Sequence, residues 1–149
     1  MIQRVARAEV RVDGARVARI GRGMLLLACA EKGDDADTAL RLAERVAGLR
    51  FFPDAAGKMN QDAREVGAAA LVVSQFTLAA DGRRGRRPSF DRAAAPDAAR
   101  PLLARFAERL SELGLPVETG VFGARMEVEL VNDGPVTFAL AEAPRGGQG

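Results

Sequence analysis

Three short stretches hold most of the residues able to do chemistry. The first is SQFTL, residues 74–78, where a run apolar on both faces turns abruptly polar. Such a change marks a strand leaving a core. Alternation places Gln75 and Thr77 on one face and Ser74 and Phe76 on the other. The plain alternative is an ordinary strand end whose polar side chains satisfy nearby backbone. The second stretch carries Arg83, Arg84, Arg86 and Arg87, four guanidiniums within five positions, broken by Gly85. A cationic loop of this kind suits phosphates, although a solvated loop has the same composition. The third is NDGPVTF, residues 132–138. Asp-Gly is the pair that builds a two-residue hairpin, but that turn needs an amide on the next residue, and Pro135 has none. What remains is a backbone shaped for its own sake, and a cis Gly134-Pro135 bond is one way to shape it.

Absences narrow the chemistry further. There is no histidine and no tyrosine, which excludes Ser-His-Asp triads, Cys-His pairs and every His-ligated metal site. Thr77 therefore has no histidine to activate it and is not at an N-terminus that would serve as its base. Cys29 is the only cysteine and sits in an apolar run as a small core residue would. An enzyme built from these residues works with carboxylates, hydroxyls, arginines, backbone groups or something the substrate carries. The formal net charge is +2, and the high pI of about 9.3 reflects arginines that do not titrate near neutrality. That balance by itself does not indicate nucleic acid.

The elements that must position these residues follow from periodicity. A chain of 149 residues fits one domain able to bury roughly 68–70% of its unfolded surface. Ala6, Ala8, Val10 and Val12 alternate with charged residues as a half-buried strand does, and Asp13-Gly14 predicts a hairpin into a strand over 15–20. Residues 24–30 and 68–73 are continuous apolar runs, so buried strands. Gly33-Asp34-Asp35 supplies a cap for a helix with a stripe of Ala39, Leu42, Ala43, Val46 and Leu49. Residues 51–61 read as a turn-rich connection. A second helix presents Leu102, Leu103, Phe106, Leu110 and Leu113, with Pro101 expected in its first turn and Gly114 and Pro116 at its end. Met126, Val128 and Leu130 mark a late strand, residues 136–140 a last one, and residues 143–149 a disordered tail. The expected class is one α+β domain over residues 1–142, with a mostly antiparallel or mixed sheet covered by two main helices. No apolar run approaches the roughly 20 residues of a membrane helix, and arginines alternating with Glu9 and Asp13 argue against a transit peptide. A cytoplasmic location is the expectation.

Taken in order, these motifs resemble the bacterial D-aminoacyl-tRNA deacylases, the D-tyrosyl-tRNA deacylase family. The likeness runs through EKGD at 31, LRFF at 49, GKMN at 57, LVVSQFTL at 71 and RRPSF at 86, then VETGVFGARMEVELVNDGPVTF from 117. It implies hydrolysis of the ester joining a D-amino acid to tRNA, with no metal and no cofactor. It also implies a homodimer in which Gly134 and Pro135 of one subunit enter the site of the other. These two, with Ser74 and Asn132, would form a chirality filter whose carbonyls reject L-residues and leave glycine unopposed. Gln75, Phe76 and Thr77 would be the catalytic set, with backbone amides near Phe76 and Thr77 binding the oxyanion and the ribose 2′-hydroxyl replacing a protein base. Thr77 has two implied roles, nucleophile or positioning group, and the missing base favours positioning. Arg83, Arg84, Arg86 and Arg87 would hold acceptor-stem phosphates. Three departures stand out: Ala79 where the family commonly has tyrosine, Arg125 at a position often acidic or neutral, and a Gly-rich tail. Two competing readings are an RNA-binding module without turnover and a small esterase using Thr77.

Overall fold

The Asp13-Gly14 pair makes the turn its residue types predict. In the computed structural model, which describes residues 1–146, β1 (Ile2–Val12) and β2 (Ala15–Ile20) are joined at this pair. Asp13 has φ +50° and Gly14 φ +78°, both positive as the tight hairpin turn requires.

Strand β1 has three partners. Its first half pairs antiparallel with β3 (Gly23–Ala28), its second half with β2, and its other edge with the long C-terminal strand, Glu127–Phe138. Beyond β3 come two parallel neighbours, one over Ala69–Ser74 and one over Val117–Thr119. Along the chain between β3 and the first of these, the stretch expected as a turn-rich connection forms a small separate hairpin, β4 (Phe52–Pro53) with β5 (Met59–Gln61). The remaining strands are thus β6 (Ala69–Ser74), β7 (Val117–Thr119) and β8 (Glu127–Phe138). Strand β2 folds over to pack on β6 and β7, so the mixed sheet curls into a nearly closed barrel.

This curl creates two cores. Inside the barrel lie Val5, Val10, Ile20, Leu25, Leu71 and Val73. On the outer face, Met24, Leu26 and Val72 pack under Val46, Phe106 and Leu110 of the two helices. Strands β3 and β6 bury both faces, which is why both read as continuous apolar runs. The expected alternation of β1 holds from Ala8 onward but not at Ala6, which is exposed. Val5 pairs with Asn132 and Arg7 with Val131, so Ala6 is an extra residue with no partner. A one-residue bulge flips every later side chain to the other face, and so Val5 and Ala8 both point inward.

Helix α1 (Ala36–Gly48) begins where Asp35 accepts from the Thr38 amide at 2.8 Å, as a capping residue should. Helix α2 (Pro96–Glu112) starts with proline in its first turn. Pro101 therefore lies in the second turn, not the first, and has no amide for the Asp97 carbonyl. Burial of Phe106, Ala107 and Leu110 downstream holds the helix regardless. After β8 the chain crosses α1, where Arg41 and Arg45 both pair with Glu142 and Arg41 donates to the Ala143 carbonyl at 2.7 Å. Residues 147–149, the end of the expected tail, lie outside the described residues. Among the described residues no helix is long and apolar enough to cross a membrane.

The β3–β6 pairing depends on Gly23. A Cβ built there would lie 2.0 Å from the Ala69 carbonyl oxygen, a backbone atom fixed by the parallel ladder. Gly23→Ala should therefore lower the unfolding free energy by roughly 2–3 kcal/mol, as overpacked cores do. Urea unfolding measures this, and an unshifted midpoint would show that β6 yields freely.

Candidate active site

SQFTL sits where β6 leaves the barrel. Ser74, the last residue of β6, pairs with Ala28, and the Gln75 amide still donates to the Ala28 carbonyl at 2.8 Å. The chain then turns off in a single 3-10 turn, Phe76–Ala79. The extended alternation expected through this stretch thus stops at Phe76. Gln75 and Thr77 still meet, because the turn brings the Gln75 amide nitrogen to donate to Thr77 Oγ1. Phe76 is 58% exposed, large for an aromatic residue, and it rests edge-on against Phe90 with centroids 5.1 Å apart. Ala79 is the one fully buried residue of the turn, so its small side chain sits in the packing and not at the rim. The amides of Phe76 and Thr77, at the start of the turn, have no acceptor among the described residues.

Cys29 lies beneath this turn, half-buried, and is a residue the sequence reading placed in the core. Its thiol reaches the carbonyls of Ala30 at 3.5 Å and Phe76 at 3.6 Å. Burial pushes the thiol up from its ordinary value, and Glu31 adds to the effect. Both effects disfavour the thiolate, so Cys29 serves as a weak donor under the turn. The Arg92–Glu31 pair at 2.5 Å and the Ala94 to Ala30 backbone bond at 3.0 Å tie the segment bearing Phe90 to the end of β3.

The arginine loop is closed at its base. Asp81 and Ser89 exchange two backbone bonds of 2.7 and 2.8 Å, enclosing residues 82–88. Arg83 turns back on Asp81 at 2.5 Å and holds that carboxyl below its ordinary range. Arg83 is thus engaged within the loop. Arg84, Arg86 and Arg87 are exposed and form no ion pair among the described residues.

NDGPVTF does not connect two strands, as expected from the alternation, but lies inside one. Asn132 pairs with Val5 and Thr137 with Gln3, so four residues of β8 stand opposite the single residue Arg4. Asp133, Gly134, Pro135 and Val136 must bulge out of the ladder. The Gly134-Pro135 peptide is cis, and Gly134 has φ +135°. A Cβ on Gly134 would come within 2.7 Å of Val136 Cγ2 and 3.2 Å of Arg4 Nη2. Asn132 spans the bulge, accepting from the Val136 amide at 2.8 Å and donating to Thr137 Oγ1 at 2.7 Å. Arg4 holds it from below: its guanidinium donates to the Asp133 carbonyl at 3.1 Å and to the Phe51 carbonyl at 2.7 Å. At 8% exposure Arg4 is the support that sequence reasoning missed. Its signal was an arginine at a position of β1 where period two, counted from Ile2, points inward.

Within one chain the two motifs do not meet. Gly134 stands at the level of Arg4, Met24 and Ala70, while Ser74 is four residues further along β6 and three strands away. At about 4.8 Å per strand and 3.3 Å per residue, the separation is roughly 19 Å. The structure groups Ser74, Gln75, Phe76 and Thr77, and separately Asn132, Gly134 and Pro135 with Arg4. Among the described residues no cluster of three His, Cys, Asp or Glu side chains could hold a metal ion.

Arg4→Ala should cost about 2 kcal/mol in urea unfolding, because two carbonyls lose a charged donor. Asn132→Ala should speed amide hydrogen exchange at Val136, whereas Asn132→Asp, which keeps the acceptor, should not. Unaltered exchange in Asn132→Ala would mean that the bulge holds itself.

Comparison with known proteins gives a consistent result. A family described as D-Tyr-tRNA(Tyr) deacylase matches residues 1–141. The chain is 59% identical to the D-aminoacyl-tRNA deacylase of Paracoccus denitrificans, over 97% of each chain. It is 61% identical to that of Thermomicrobium roseum, over 99% of this chain and 96% of the relative. Among solved structures it resembles the c-Myc DNA unwinding element binding protein, with a TM-score of 0.89, 35% identity and 97% of each chain covered.

Proposed function

The chain belongs to the D-Tyr-tRNA(Tyr) deacylase family, and on that premise we propose that it hydrolyses the ester of D-aminoacyl-tRNA and spares the L-ester. The observation that carries this reading is the four-residue bulge of β8, a stretch of backbone lifted from a ladder and braced on both sides by Arg4 and Asn132. A braced backbone can present carbonyls to a substrate α-carbon. A D-residue directs its side chain away from them; an L-residue drives its side chain against them. Rejection by clash and by unpaired polar groups discriminates more strongly than an added contact would.

The filter and the hydrolytic set come from two copies of the chain in this reading. The separation of roughly 19 Å within one chain supports a homodimer, with the bulge of one subunit facing the Ser74–Thr77 turn of its partner. At that turn, water adds to the ester carbonyl carbon, and the developing oxyanion is met by the unpaired amides of Phe76 and Thr77. The carbon–oxygen bond to the ribose then breaks, and the proton from water passes to the ribose oxygen. With no histidine in the chain, the neighbouring 2′-hydroxyl of the substrate carries that proton transfer. Thr77, bonded to Gln75, positions the ester and is not the nucleophile. Phe76 offers an exposed ring to the terminal adenosine, and Arg84, Arg86 and Arg87 take acceptor-stem phosphates.

A filter that reads only side-chain direction accepts many D-residues and fails to exclude glycine, including glycine mischarged on alanine tRNA. Release of amino acid from matched D-, L- and glycyl-tRNA tests this. We expect rapid loss of the D- and glycyl esters with the L-ester intact. Thr77→Ala should retain most activity, within about tenfold, and Gly134→Ala should lose 100-fold or more because its Cβ collides with Val136. Glycyl esters as resistant as L-alanyl esters would sink the steric filter. Salt-dependent tRNA binding without turnover would instead favour the RNA-binding reading.

A further inference from the structure

Beside Ser74 a cleft of about 290 Å³ opens between α2 and the end of β7. Leu103, Ser74, Thr119, Gly120, Phe122 and Arg100 are among the residues that line it. The Arg100 guanidinium lies 4.7 Å from the centroid of the Phe122 ring. Stacking on an aromatic face fixes the plane of a guanidinium and leaves its N–H edges facing out.

The charge along α2 is uneven. Arg105 is bridged by Glu108 and Glu112, and Arg109 by Glu112 and Glu44. Those arginines are neutralised within the fold. Arg100 has no carboxylate at ion-pair distance among the described residues, although Asp97 shares its helix. So α2 keeps its one unpaired guanidinium in the cleft that Ser74 also lines and pre-orients it on a ring.

We infer that Arg100, held by Phe122, binds the phosphodiester on the 5′ side of the terminal nucleoside of the RNA substrate. This assignment rests on the deacylase reading above, which puts the terminal ribose at the Ser74–Thr77 turn. The anion nearest that ribose is its own 5′ phosphate, and a forked guanidinium matches two phosphate oxygens. The arginine loop follows the turn along the chain and serves phosphates further along the strand. Arg100 is thus a binding residue for the end of the chain, and Phe122 a positioning residue acting through it.

Two substrates separate this role from a structural one: a D-aminoacyl-tRNA, and the same D-aminoacyl ester of adenosine, which has no 5′ phosphate. Arg100→Ala should raise KM for the tRNA ester roughly tenfold with kcat nearly unchanged, and leave the adenosine ester unaffected. The salt dependence of kcat/KM on tRNA should weaken by roughly 0.7 in logarithmic slope, the share of one phosphate contact on a single strand. Arg100→Lys should recover part of the loss, and Phe122→Leu should lose part of it. Binding is read independently by competition: the native protein should prefer adenosine 5′-monophosphate to adenosine, and Arg100→Ala should abolish that preference. Equal losses on both esters, or an unchanged nucleotide preference in Arg100→Ala, would overturn the assignment. A native protein that cleaves no D-ester yet prefers the nucleotide through Arg100 would overturn the deacylase reading and support the phosphate contact.

Discussion

Strand β8 has to place four residues opposite one. Between Gln3 and Val5 its partner β1 offers only Arg4, and there β1 is held on its other edge by β3. The whole excess therefore falls on β8, and the backbone from Asp133 to Val136 is pushed out of the ladder. Pushed out, its polar groups need new partners. Arg4 and Asn132 supply them, one from the strand beneath and one from the strand itself. Everything proposed for the chirality filter depends on that forced, braced excursion.

The turn proposed for hydrolysis depends on the opposite condition, a ladder with no slack. Strands β3 and β6 are parallel, buried on both faces, and so close at Gly23 that no side chain fits. Such a pair stops where its last bonds stop, at Ser74 and Gln75, and the chain exits at the carboxyl end of the parallel strands. Open α/β sheets place ligands at that end for the same reason: backbone groups become free there without leaving a rigid support. The amides of Phe76 and Thr77 are of this kind.

Charge follows the same division between support and exposure. Arginines on the helix faces and beneath the C-terminal crossing are paired with carboxylates, as Arg41, Arg45, Arg105 and Arg109 are. Arg84, Arg86 and Arg87 of the loop after the turn, and Arg100 of α2, have no such partner among the described residues. A net charge of +2 hides this arrangement, because the paired arginines cancel in the sum while three neighbouring arginines of one loop stay unpaired.

Asp13-Gly14 and Asp133-Gly134 mark the boundary between what was legible and what was not. The first pair is followed by Ala15, whose amide can close a turn, and local chemistry alone made it a hairpin. The second is followed by Pro135, and local chemistry said only that the ordinary turn was spoiled. The apolar runs of β3 and β6, the capped α1, the α+β class and the absence of a histidine-based mechanism were likewise determined by residue type and period. The phase of β1 was not, because an unpaired Ala6 is invisible until its partner strand is known. Nor was the single-strand character of β8, or the role of Arg4. Both arise from the register between residues more than 120 positions apart, and a pairing register belongs to two strands at once, so only the tertiary structure could decide it.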